Sequence, residues 1–340
     1  MKSKFLPFYS LAFSAGLLFS ASDSNAENIF TRSMSKAGSA VVGASKTTGS
    51  VAVKTAKIIT PDSFFIEGSN LEVGAGAQIY GIQYDSPYDA ETVSNDASSA
   101  IRAGIGYDID SNKELRISYF KYESKDNDST NSQGNSFYSY DDKNDYGYYT
   151  ADAEYKHKVN SIDIDIATTK IVSNNLNLQF SGGLKYANYE RDINVTYYGN
   201  DFDNTGNVTS VKSKFRGFGP KAGIEADYKI ISGFSVYGGA SITIIAGTSE
   251  VQMQDYDSEI NLKDNLVTPI VSGDFGVKWS KENIIKNSDF AIKVGYRVEN
   301  WQSVVNNATR DADDAHYNTI IADNEDLSFS GAYLRTTFSF

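Results

Sequence analysis

The chain contains no cysteine. This excludes a disulfide scaffold and a thiolate metal site, and it suits a protein that crosses an oxidising periplasm unfolded. Long apolar runs are also missing. Past residue 21 nothing approaches the roughly 20 consecutive apolar residues of a spanning helix, so a helical inner-membrane protein is excluded. Basic residues are outnumbered, 31 Lys and Arg against 43 Asp and Glu, for a net charge of −12. General nucleic-acid binding, which needs a basic face, is not expected. Only two histidines occur, His157 and His316. No Gly-x-Ser-x-Gly elbow, His-Glu-x-x-His helix or phosphate loop is present, so no reaction, cofactor or metal is expected. A mean hydropathy of −0.38 does not argue against a membrane protein. In a barrel only alternate strand residues meet lipid, and polar loops dilute the average.

What is present begins at the N-terminus. Lys2 and Lys4 precede an apolar stretch from Phe5 to Ala21, and Ser24-Asn25-Ala26 supplies small residues before a cut. Residues 1–26 are expected to be a signal peptide, which places the mature chain beyond the inner membrane. In the following extension, 27–63, Ala37, Val41, Ala44, Thr48, Val51, Thr55 and Ile58 recur at three- and four-residue steps, with Pro61 as a stop. The stretch reads equally as a weak amphipathic helix or as a flexible extension, because Gly38, Gly43 and Gly49 oppose helix formation.

From about residue 71 the pattern changes to period 2. Ile101, Ala103, Ile105 and Tyr107 alternate with Arg102, Gly104 and Gly106. Ile162, Ile164 and Ile166 alternate with Asp163 and Asp165, and similar runs recur to the C-terminus. With Leu71–Tyr84 as the first, ten strands are expected. Connections at 110–113, 172–175, 230–233 and 281–288 are short. Those at 85–100, 124–154, 190–214, 250–266 and 302–326 are long and rich in Asp, Asn, Ser and Tyr. Strict alternation of short and long fits tight periplasmic turns at one end and outside loops at the other. The terminal strand carries Leu334, Phe338 and Phe340 on one face, like the C-terminal assembly signal of outer-membrane barrels. The expected fold is all-β, an antiparallel transmembrane outer-membrane β-barrel of about ten strands (range eight to twelve) over 64–340.

Charged residues of the alternating strands fall on the face opposite the apolar one. They are Arg102, Arg116, Lys185, Lys221, Lys293, Arg297 and Arg335, against Asp163, Asp165, Glu225, Asp227, Asp274 and Glu299. On the lipid face they would be costly, so parity assigns them to the lumen. There they would either line a wet channel or pack it shut as ion pairs. His157 and His316 fall in or beside expected outside loops and read as solvated. Gly217-Phe218-Gly219-Pro220-Lys221-Ala222 matches a dinucleotide fingerprint only by spacing. No helix follows it, so these are barrel glycines.

Three stretches resemble one family. They are Phe215-Arg216-Gly217-Phe218-Gly219-Pro220-Lys221-Ala222-Gly223-Ile224 with the hairpin through Gly238, Val267-Thr268-Pro269, and Gly295-Tyr296-Arg297-Val298-Glu299-Asn300-Trp301 leading to Phe329-Ser330-Gly331-Ala332-Tyr333-Leu334. The chain is similar over 160–340 to the pore-forming Legionella major outer membrane protein family. That resemblance implies passive diffusion of small hydrophilic solutes or ions. The alternative is a closed barrel acting as a surface adhesin or structural envelope protein through its outer loops. The partners implied are outer-membrane lipid and lipopolysaccharide, the barrel-assembly machinery, a host-surface ligand and, with no cysteine, only a noncovalent homo-oligomer.

Overall fold

The computed structural model describes residues 61–74, 97–130, 148–199, 207–255, 258–285, 288–310 and 320–340. The expected signal peptide, most of the 27–63 extension and His316 lie outside these residues. Ten strands form the described chain: β1 Ser63–Gly74, β2 Ser98–Asp110, β3 Lys113–Thr130, β4 Tyr148–Ile171, β5 Leu176–Gly199, β6 Asn207–Ile231, β7 Phe234–Asp255, β8 Ser258–Ile285, β9 Ser288–Arg310 and β10 Ile320–Ser339. Each pairs antiparallel with its sequence neighbours, and β1 pairs with β10, closing the barrel. Closure leaves no strand edge unpaired in hydrocarbon.

Local chemistry sets the short turns. Gly233 takes φ +82° between β6 and β7, a conformation that L side chains rarely adopt. Asp110 accepts a hydrogen bond from the Asn112 N–H at 3.0 Å, closing the β2–β3 turn. At the same end the seam is aromatic. Phe64 stacks on Phe338 at 5.0 Å, and Phe338 meets Phe290 at 4.7 Å.

The polarity of each strand inverts part-way along it. Toward the short turns, outward residues are apolar and exposed, such as Ile164, Leu184, Ile224, Ile242, Phe275 and Val294. Inward residues there are charged. Beyond Tyr119, Ile162, Tyr186 and Phe218 the outward face turns polar, through Lys121, Asn160, Asn188 and Arg216. From the same level the inward face becomes apolar. Phe120, Tyr122, Val159, Tyr189, Phe215, Ile245, Ile270, Trp301, Leu327 and Phe329 pack into one buried cluster. The lower part is organised for lipid outside. The upper part has the apolar interior of a water-soluble barrel, because water now bathes its outer face. The outward positions that are apolar therefore define the membrane-spanning part of each strand.

This inversion corrects two expectations. The long loops at 190–214 and 250–266 are largely strand: β5 runs to Gly199, β6 starts at Asn207, and β7 and β8 pair up to Asp255–Ser258. These stretches are polar because their outward face is in water, while Val195, Val211, Val251 and Met253 stay buried inward. Among the described residues the first strand is Ser63–Gly74, starting eight residues before the expected Leu71; 75–84 lie outside the described residues. Leu71 and Val73 face the upper interior, not lipid.

Candidate functional site

Within the spanning part, charges from opposite walls meet across the lumen. Glu67 of β1 is fully buried and receives three arginines, from β2, β9 and β10. Arg335 Nη2 lies 2.6 Å from its Oε2, Arg297 makes a bidentate contact, and Arg102 Nε is 3.7 Å away. Arg297 also lies 3.8 Å from Asp274. The Tyr237 hydroxyl donates to Tyr333 at 2.7 Å, and the Tyr333 hydroxyl donates to Asp274 at 2.5 Å. These bonds link β7, β10 and β8. Guanidiniums lie over aromatic faces, Arg297 on Tyr333 at 4.5 Å and Arg335 on Phe65 at 4.7 Å, which offsets part of their desolvation.

Beside this clamp, Lys221 bridges Asp163 at 3.1 Å and Asp165 at 2.8 Å. Lys185 reaches Asp163 at 3.7 Å and, from β5 to β9, Glu299 at 3.8 Å. Nearer the short turns, Lys293 of β9 meets Glu225 of β6 at 2.5 Å, Lys278 meets Asp227 at 2.7 Å, and Arg116 meets Glu114 at 2.5 Å. Solvent reaches this lower tier: Arg116 keeps 35% and Lys278 27% of its side-chain surface exposed. At the clamp Glu67 has 0%, and directly above it Trp301 has 0%. Between clamp and apolar storey lies a cavity of about 10 Å³, lined by Leu71, Arg102, Phe120, Arg297, Glu299 and Phe329. It holds about one water molecule.

Small residues make room for these bridges. A Cβ on Gly295 would sit 2.2 Å from the Tyr237 hydroxyl, and one on Gly104 would sit 2.4 Å from the Phe65 ring. Bulkier residues there would displace the Tyr237–Tyr333 bond or the ring under Arg335.

Residues 63–340 match the family described as the Legionella pneumophila major outer membrane protein precursor. The chain belongs to that family. The match takes in β1 to β10 entire, so it includes the N-terminal half of the barrel as well as 160–340. The protein is accordingly a barrel of the bacterial outer membrane. No curated protein matches the chain significantly. Similar solved structures include the outer-membrane protease OmpT of Escherichia coli, at 13% identity, 82% and 97% coverage of the two chains, and TM-score 0.45. The translocator domain of the autotransporter NalP from Neisseria meningitidis matches at 11% identity, with 94% and 98% coverage and TM-score 0.39. A major outer membrane protein from Thermus thermophilus matches at 11% identity, with 82% and 98% coverage and TM-score 0.32. Likeness at this level assigns no activity to this member of the family.

Every charged residue singled out in the sequence lies in the ion-paired set just described. Three further members, Glu67, Glu114 and Lys278, are not among the inward charges that the sequence pattern picks out. With them, the ion-paired set among the described residues holds as many carboxylates as cations. The excess of one cation in the inward set is the available signal, since a desolvated guanidinium requires a carboxylate partner.

His157 is a correction. It is not a solvated loop residue but is buried on β4, inside the upper storey. Its Nδ1 lies 3.0 Å from the Tyr189 hydroxyl. It stands above Ile162, the last exposed apolar residue on β4, and so outside the spanning part. Burial and the neighbouring Arg191 cation pull its pKa down to about 3, so the ring is neutral at ordinary pH.

Proposed function

We propose that the protein is a narrow pore of the outer membrane, shut in the form described, that passes small ions along its charged lumen when the upper storey parts. The observation that carries this reading is the uneven filling of the lumen. A solvent-reached tier of paired charges opens toward the short turns and ends at the Glu67 clamp and the Trp301 layer. A barrel filled only for structure gains nothing from so many desolvated ions, because well-packed apolar residues of similar volume are commonly at least as stable. Paired carboxylates and cations along a path supply successive weak sites for ions of either sign. The lumen residues tune passage and catalyse no reaction.

A second reading, a permanently closed barrel acting at the cell surface as an adhesin or structural envelope protein, is favoured by one observation. Trp301, Tyr122, Tyr189 and Phe215 fill the upper storey with almost no exposed surface. Conductance in planar bilayers separates the two. The pore reading expects brief openings in the native protein, and longer ones when Trp301 and Phe215 are replaced by alanine. Silence from both, with the barrel intact by circular dichroism, leaves the surface reading.

A further inference from the structure

Outside the barrel, the level at which polarity inverts carries a basic patch on one side only. On β3 to β6 the exposed residues Tyr119, Ile162, Tyr186 and Phe218 are register partners, forming a continuous apolar row. Two residues further along each strand, outward again, the partners are Lys121, Asn160, Asn188 and Arg216. The next row reads Glu123, Lys158, Glu190 and Lys214.

The two glutamates do not neutralise this face. Glu123 lies 3.6 Å from both Lys121 and Lys158, and Glu190 lies 3.8 Å from Arg216. Glu123 is thus shared between two lysines and Glu190 faces Arg216, so across these two rows four cations stand against two carboxylates. Arg216 is 61% exposed, with its Nε held by the Asn188 side chain at 3.1 Å and its Nη2 3.8 Å from Glu190. On β9, β10, β1 and β2 the first outward positions beyond the apolar run are Asn300, Ser330, Asn70 and Ser99, and none is cationic. For a chain of net charge −12, a one-sided basic band at the water boundary is not background.

We propose that this β3–β6 face is a binding site for the phosphorylated glycolipid of the outer leaflet. Its acyl chains would lie on the Tyr119–Phe218 row, and its phosphates would be held by Lys121, Lys158, Lys214 and Arg216. The match is amphiphilic. Apolar and cationic rows adjoin within one pleat repeat, as acyl chains and phosphates adjoin in the lipid. Arginine offers a planar fork to phosphate, and lysine a point charge. Cations next to an anionic leaflet each add attraction that salt screens.

The test uses the full folded protein and bisphosphorylated lipid A in phosphatidylcholine bicelles, with binding read by native mass spectrometry. The variant K121Q/K158Q/K214Q/R216Q is compared with K170Q/K229Q/K281Q, which removes exposed cations from the short-turn end. The native protein should retain lipid A at least about tenfold better than phosphatidylcholine, with retention falling as salt rises. The patch variant should lose that preference, while the short-turn variant keeps it. Inorganic phosphate at millimolar concentration should not displace the lipid. Equal retention by the patch variant, equal loss in the short-turn variant, or full displacement by free phosphate would each overturn the assignment. The single replacement Arg216→Glu, on the outer surface, gives a second reading should the quadruple variant fold poorly. Unchanged retention there also counts against the site.

Discussion

Replacing Glu67 with glutamine changes one atom and leaves three arginines without their shared carboxylate. Glu67 is fully buried, and Arg297, Arg335 and Arg102 all converge on it. Removing one partner of a buried ionic cluster costs about 3–5 kcal/mol, chiefly because the remaining charges stay desolvated. The clamp also joins β1 to β9 and β10, on either side of the closing seam, so that cost falls on barrel closure. Urea unfolding in lipid vesicles, followed by tryptophan fluorescence, should lower the stability of Glu67→Gln by about 3–5 kcal/mol. Lys278→Gln, which breaks a pair that solvent partly reaches, should cost only about 1 kcal/mol. Adding Arg335→Gln to Glu67→Gln should recover part of the loss, since the two sites share one network. A loss below about 1 kcal/mol for Glu67→Gln would refute the clamp, because that is the range of an exposed pair.

Other outcomes follow from the same geometry. Gly219→Ala should sharply reduce the folded yield, since its Cβ would lie 1.8 Å from the Ile244 carbonyl oxygen and the β6–β7 ladder would have to shift. Heat-modifiability on gels reads this directly. Phe338→Ala removes the ring packed between Phe64 and Phe290 and should cost about 3–5 kcal/mol in the same unfolding assay, less if lipid fills the gap. His157 predicts acid sensitivity of the upper storey. Its folded pKa of about 3 lies below the ordinary 6.5, so above pH 6.5 its contribution is fully present. Below that, the unfolded chain takes up the proton first, and stability falls by up to about 1.4 kcal/mol per pH unit until the native ring also titrates. In a Trp279→Phe background, Trp301 emission should report loosening between pH 6.5 and 4.5, and His157→Gln should flatten that response.

The strand faces of the lower barrel were legible because lipid imposes one demand on every outward position. Ile162, Ile164 and Ile166 could only face outward, and that fixed Asp163 and Asp165 inward. The upper storey reads as loop in the sequence for the converse reason. There the same alternation continues with its polarity exchanged, so Val251 and Met253 between Glu250, Gln252 and Gln254 look like scattered apolar residues in a polar stretch. Adjacent apolar pairs mark the exchange: Tyr119-Phe120, Tyr186-Ala187, Ile244-Ile245 and Ile270-Val271 each put one residue outward and one inward. Glu67 was missed because β1 has only Phe64 and Ile66 as a lipid-facing apolar pair before Gly68 and Asn70. Its role depends on Arg102, Arg297 and Arg335, which converge only when the barrel closes.

In the proposed pore the charged lumen is shut by the Glu67 clamp and the Trp301 layer above it. Single-channel recording of the folded protein in planar bilayers, beside Glu67→Gln and the Trp301/Phe215 alanine variant, tests this most directly. The native protein should give small, brief steps, and longer ones when the clamp or the layer is weakened. With one negative charge gone and three guanidiniums deprived of the carboxylate they share, Glu67→Gln should shift selectivity toward anions. Silence from all three, with intact barrels, would contradict the pore reading.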